Sequence, residues 1–181
     1  MRLRSIVAAA VLLSAVTVTT AATATASSAP YCGIYWGSVP KVQEPTAVAP
    51  LTNVRAGRHE CFDRLVFDMS AKADGFRVEY VPEVYTDGAG FLVPLRGGAK
   101  LQVIVIAPDN DNYQRTYLPA NRAELVDVTG WQTFRQIAWA GSFEGQSTVG
   151  LGVRARLPFR VFTLDGPGSG SRIVVDVAHY W

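Results

Sequence analysis

Few side chains in this sequence suit covalent or acid–base chemistry. Cys32 and Cys61 are its only cysteines, His59 and His179 its only histidines. A hydrolytic triad needs a nucleophile, a base and an orienting acid. His179 has Asp176 close by in sequence, but a histidine at a strand end beside the C-terminus reads as structural. Gly141-Ser142-Phe143-Glu144-Gly145 holds its serine in the wrong place for a G-x-S-x-G nucleophile elbow. Two histidines cannot form a three-histidine zinc site, and H-E-x-x-H is absent. Paired carboxylates can run glycoside hydrolysis, yet Asp63, Asp68 and Glu144 are scattered and read as turn and surface charges. Asp109-x-Asp111 opens like a calcium loop but lacks the following glycine and distant glutamate of an EF-hand. Gly166-Pro167-Gly168-Ser169-Gly170 precedes a strand, whereas a phosphate cradle opens a helix. The expectation is a protein without catalytic residues, metal or cofactor.

Binding chemistry is better represented. Residues 107–130 form a long polar stretch holding Asp109-Asn110-Asp111-Asn112, Tyr113, Tyr117 and Pro119. Long irregular segments are uncommon in compact domains and tend to carry function. Tyr113 and Tyr117 offer flat faces for sugar rings, and Asp109 and Asn112 offer partners for hydroxyls. These four are the candidate ligand-binding residues, although each tyrosine would also serve as a lid over the core. Trp36 and Trp131 also sit in loop-like contexts. Trp139 follows Ile137 in a strand and is expected in the core, and Trp181 is expected to plug one end of the fold.

The elements that must position these residues are strands. Phe76, Val78 and Tyr80 alternate with Arg77 and Glu79. Val149, Leu151 and Val153 alternate with Gly150, Gly152 and Arg154, the period of two that marks a strand. Leu101 to Ile106 is apolar at nearly every position, the pattern of burial on both faces. Asp87-Gly88, Gly97-Gly98 and Asp165-Gly166-Pro167 supply turns. Residues 120–128 are the one stretch read as a short helix. About seven to nine strands with regular turns imply an all-β sandwich or barrel. Arg64-Leu65-Val66-Phe67-Asp68 and Arg172-Ile173-Val174-Val175-Asp176 share one pattern, either by coincidence or as equivalent strands of a pseudo-symmetric sandwich.

The N-terminus reads as an export signal. Arg2 and Arg4 precede an apolar run over residues 6–18, and Ala24-Thr25-Ala26 has the A-x-A form a signal peptidase cuts behind. The run is shorter than the roughly 20 residues a spanning helix needs, so no membrane anchor is expected after cleavage. The chain carries 17 basic and 15 acidic residues, and without Arg2 and Arg4 the balance is 15 against 15. A neutral domain lacks the footprint of a nucleic-acid binder. In an oxidising compartment Cys32 and Cys61 are expected to pair. The organisation expected is a signal peptide over 1–26, an extended segment over 27–53 tied by the disulfide, and a β-domain over 54–181.

Several segments carry a family resemblance: YCGIYWGS at residues 31–38, HECFDRLVFD at 59–68, DGAG at 87–90 and GSFEG at 141–145. VGLGVRARLPFRVF at 149–162 and SRIVVDVAHYW at 171–181 extend it over nearly the whole mature chain. These resemble the AMIN-like domain proteins of actinobacteria, relatives of the AMIN domain found beside N-acetylmuramoyl-L-alanine amidases and secretins. The resemblance implies a two-sheet β-sandwich and a role at the cell envelope. It also implies a secreted, non-catalytic module that recognises peptidoglycan or another cell-wall glycan, although the sequence departs from the family setting in that no amidase domain or secretin pore accompanies it. A secreted protein-interaction domain, as an inhibitor or partner subunit, is the other reading.

Overall fold

Alternating apolar side chains become opposite faces of pleated strands, and two such faces close on each other here. The computed structural model describes residues 30–181; the expected signal peptide lies outside them. A 3-10 turn at Tyr31–Gly33 leads into β1 (Lys41–Gln43), β2 (Leu51–Arg58), β3 (Phe62–Met69) and β4 (Phe76–Val81). There follow β5 (Val84–Tyr85), β6 (Leu92–Val93), β7 (Ala99–Val105), β8 (Asn110–Asp111) and β9 (Gln114–Arg115). The chain ends with β10 (Phe134–Phe143), β11 (Gln146–Val153), β12 (Phe159–Asp165) and β13 (Ser171–Ala178). One sheet has five strands in the order β1-β4-β7-β11-β10, the other four in the order β12-β13-β3-β2. All their pairings are antiparallel, and the fold is a β-sandwich. No helix among the described residues is long and apolar enough to cross a membrane.

The core lies between the sheets. Leu65, Phe67, Ile173, Val175 and Val177 enter it from the four-stranded sheet, and Val78, Leu101, Val103, Val149 and Leu151 from the five-stranded one. Trp139 is buried in it, as its strand position implies. A smaller cluster of Val84, Val93, Ala138 and Ala140 forms where the β5–β6 ribbon folds over the outside of the five-stranded sheet. Gly152 makes that covering possible. A Cβ there would stand 2.0 Å from the carbonyl oxygen of Arg96, so only glycine lets the segment after β6 lie on β11.

Cys32 and Cys61 are joined, closing a loop across a sequence separation of 29. The bridge holds the aromatic N-terminal segment against β3, where Trp36 packs on Phe62 with ring centroids 5.9 Å apart. Further along, β1 pairs with β4 as the edge of the five-stranded sheet.

Two expectations are corrected. Residues 120–128 form no helix. Asn121 and Asp127 accept hydrogen bonds from the backbone N–H groups two residues on, turns that compete with helix. Leu125 N–H donates to the Ile137 carbonyl and Trp139 N–H to that of Arg122, so the segment covers the free edge of β10. Trp181 does not plug the sandwich. It is 71% exposed, tethered by its indole N–H to the Arg156 carbonyl. The two R-x-x-x-D segments, read either as coincidence or as equivalent strands of a pseudo-symmetric sandwich, lie side by side in one sheet. β3 and β13 are direct neighbours, with Arg64 opposite Asp176 and Asp68 opposite Arg172.

Candidate functional site

The polar stretch after β7 is pulled into shape by Asp109. Its backbone carbonyl accepts from the N–H groups of Thr116 and Tyr117, at 2.8 and 3.1 Å. Its carboxylate accepts from Asn110 Nδ2 at 3.1 Å and forms an ion pair with Arg115. These bonds tie off the base of a two-stranded ribbon, β8 and β9, in which Asn110 pairs with Arg115. Asn112 and Tyr113 make its turn with φ of 45° and 65°, positive at both central residues as a tight hairpin requires. Left-handed backbone costs an ordinary L-residue about 1–2 kcal/mol. Here the cost falls on a tyrosine whose side chain is 100% exposed.

The four sequence-selected residues therefore occupy different positions. Tyr113 and Asn112 form the exposed tip, where Asn112 Nδ2 donates to Asp111. Asp109 is only 5% exposed and engaged in the ribbon's own bonding. Tyr117 is half-buried, edge-on to Trp139 with ring centroids 5.1 Å apart, and burial pushes its hydroxyl up to about 12. Tyr113 and Asn112 are the two that face solvent freely.

Beside this ribbon lies a cleft of about 450 Å³. One wall is the turn between β5 and β6, with Asp87 and Phe91, and the other carries Asp109, Arg115 and Arg122. Its floor runs from Trp139 to Ser142 on β10, where the pairing with β11 slips at a bulge between Trp139 and Gly141. Such bulges redirect side chains and are common beside functional sites. Phe91 is 71% exposed and presents a free ring. Asp87 accepts from Thr148 Oγ1 through Oδ1 at 3.0 Å, while its shielded Oδ2 has no partner among the described residues. Burial raises its carboxyl above the ordinary range, partly offset by the Thr148 bond. A carboxyl that holds its proton more readily can donate a hydrogen bond as well as accept one.

Sequence reasoning missed Asp87, Phe91, Arg115 and Arg122. Asp87-Gly88 carries a turn signal that hides the carboxyl's second role. Phe91 is visible only as an apolar residue stranded just after a glycine turn. Nothing in the spacing brings Asp87 toward Asp109; the β5–β6 ribbon does so by folding over the sheet.

His179 and Glu144 are placed as expected, the first structural and the second a turn charge. His179 is buried, with Nδ1 2.9 Å from Thr133 Oγ1 and Nε2 3.1 Å from the His59 carbonyl. Glu144 lies in the β10–β11 turn with φ of 50°, its side chain exposed. Asp63, expected as a turn or surface charge, is instead buried within β3, where its Oδ2 accepts from the backbone N–H groups of Thr133 and Phe134 and so satisfies donors the fold would otherwise leave unpaired. Among the described residues no three or more histidine, cysteine or acidic side chains gather as a metal site.

A family model, the AMIN-like domain, matches residues 49–179. No curated protein and no solved structure matches the chain.

Proposed function

The chain belongs to the AMIN-like domain family, a cell-envelope-related class of module, and from that premise we propose that it is an exported, non-catalytic protein binding peptidoglycan or a related cell-wall glycan. The observation that carries this reading is a polar cleft with one free aromatic face, Phe91, in its lining and a second, Tyr113, at the exposed tip of the adjoining ribbon. Phe91 stands on one wall, and Tyr113 tips the ribbon that builds the other. Flat apolar faces suit the ring faces of sugars, and Asp87 and Arg122 supply hydrogen-bonding partners for hydroxyl or amide groups. Asp109, already engaged by Arg115, contributes by holding the ribbon, with Asn112 and Tyr113 available at its tip. Tyr117 acts through Trp139, on which it packs. Charge balance in the mature chain argues against simple adsorption, so moderate salt should weaken binding little.

Co-sedimentation with insoluble peptidoglycan tests the reading. Wild-type protein should pellet, and a folded Phe91→Ala, Tyr113→Ala double variant should remain largely in the supernatant. Absence of wild-type pelleting across salt concentrations ends the glycan reading. Pelleting unchanged by the double substitution keeps the function and discards this cleft.

A second reading, a protein partner, draws on Tyr85 and Leu92. They are exposed partners across the β5–β6 ribbon, and apolar surface of this kind favours protein contact. Export carries its own test: intact mass of protein from culture medium should begin between Ser27 and Tyr31. A secreted form that starts at Met1 would contradict the cleavage site.

A further inference from the structure

We propose that the outward face of the four-stranded sheet is a second binding site, for a small oxyanion carried next to an apolar group. The proposal does not rest on the glycan reading. The antiparallel register lays this face out in rungs. Gly57, Arg64, Asp176 and Arg160 form one, Arg55, Val66, Val174 and Phe162 the next, and Asn53, Asp68, Arg172 and Leu164 the third. These rungs place Arg55, Arg64, Arg160 and Arg172 against only Asp68 and Asp176, an excess of two positive charges. Val66 and Val174 are buried, yet they belong to no core cluster; the side chains around them form a groove of about 200 Å³.

The arginines are unequally committed. Arg64 and Arg160 share Asp176, and Arg55 holds Asp68 with two bonds of 2.8 and 3.0 Å. Arg172 faces Asp68 in register but makes no ion pair among the described residues. Its Nη2 donates to the Asp165 carbonyl at 2.8 Å, and its Nε–H has no acceptor there. A guanidinium so placed can turn toward an incoming oxyanion without breaking a native ion pair, and its planar donors match carboxylate or phosphate oxygens.

Gly57 is the second, independent observation. It lies inside β2, where glycine weakens a strand and often marks a close approach by a ligand. Its φ is not positive, and a Cβ would meet nothing nearer than His59 Nε2 at 3.9 Å. Neither backbone conformation nor crowding requires glycine at this position. What its missing side chain does is leave the groove open beside Arg64, with the valine methyls beyond it.

The test is an NMR titration of uniformly ¹⁵N-labelled protein with its Cys32–Cys61 bridge intact. Three probes are used: N-acetylalanine, glycerol phosphate and the neutral N-acetylalaninamide. One or both anions should move the Arg172 side-chain N–H signal and the Gly57 amide in a saturable way, and the amide probe should not. Response to N-acetylalanine alone assigns a carboxylate source, and response to glycerol phosphate alone a phosphate source. Gly57→Leu, which fills the groove and keeps every arginine, should weaken binding by about tenfold or more. Should that variant fail to give a dispersed amide spectrum, Arg172→Gln, which leaves Asp68 paired with Arg55 and Asp176 with Arg64 and Arg160, replaces it with the same expected loss. The proposal is overturned if neither anion gives a saturable shift, if all arginine signals move alike, or if the folded variant binds as wild type does.

Discussion

Arg64 and Asp176 stand directly opposite each other on β3 and β13, joined by bonds of 2.6 and 2.9 Å. Asp176 is fully buried and is shared with Arg160, whose Nε lies 2.8 Å from Oδ2. Arg160 also lies over Phe162, 4.9 Å from its centroid, so the two guanidiniums are fixed by aromatic faces as well as by the carboxylate. Because each arginine backs up the other, their losses should not add. Arg64→Met or Arg160→Met alone should cost about 1–2 kcal/mol. The double variant strands a buried carboxylate and should cost about 3–5 kcal/mol. Urea unfolding of the four proteins measures the coupling, and additive losses would mean that Asp176 is solvated when one partner is absent.

The Cys32–Cys61 bridge supplies a different kind of restraint. It closes a loop across a sequence separation of 29, which in the chain-entropy description corresponds to roughly 3–4 kcal/mol. Replacing both cysteines by serine should lower stability by that order. Because Trp36 rests on Phe62, tryptophan fluorescence should report release of the N-terminal segment before the sandwich itself unfolds. A single transition identical to that of the wild type would show that the aromatic contacts suffice.

Gly152 is expected to be the least replaceable glycine on β11. With a Cβ only 2.0 Å from the Arg96 carbonyl oxygen, Gly152→Ala must push the covering segment outward. Overpacking of this kind costs typically about 1–3 kcal/mol. The displacement should expose Val84 and Val93, now buried on the inner face of the ribbon, and faster amide exchange there would register it. Unchanged exchange would locate the adjustment in β11 instead.

How much of this was legible in the sequence follows from the range of the interactions involved. Alternation is local, so Val149, Leu151 and Val153 pointed to the core, and their glycine neighbours marked the other face. The two R-x-x-x-D strings were visible as a pattern. Their adjacency was not, because antiparallel pairing of two distant segments is set by the closing of the whole sheet. Once paired, the pattern explains itself: reversing one copy against the other sets arginine opposite aspartate at both ends. The 107–130 segment was recognisable as irregular, and its apparent helix over 120–128 yielded to Asx turns and to bonds with the β10 edge. The cleft was invisible, since Asp87, Asp109 and Trp139 meet only through tertiary folding.

Two aspartates should give this protein opposite responses to pH. Asp74 is buried and accepts from the Thr46 hydroxyl, from Thr46 N–H at 2.8 Å and from Ala47 N–H at 3.2 Å. The Thr46 side-chain bond is the main cause holding its carboxyl below the ordinary range. A depressed folded value means that its contribution is present above the unfolded value near 3.9 and is lost as pH falls through the folded one. Asp74→Asn should therefore lower Tm at pH 7 by a few degrees, and the difference should shrink on acidification. Asp87 works the other way, because burial raises its carboxyl. Its contribution is fully present below the unfolded value and is lost as pH rises through the folded one. Burial of its shielded Oδ2, which has no partner among the described residues, penalises the ionised form, so Asp87→Asn should raise Tm at pH 7 and change little once pH falls below the unfolded value. Calorimetric scans of both variants across this range make the comparison. If Asp87→Asn lowers Tm at pH 7, its carboxylate must have a favourable interaction in the cleft. Peptidoglycan pelleting by the same variant would then show whether that interaction is retained for a ligand.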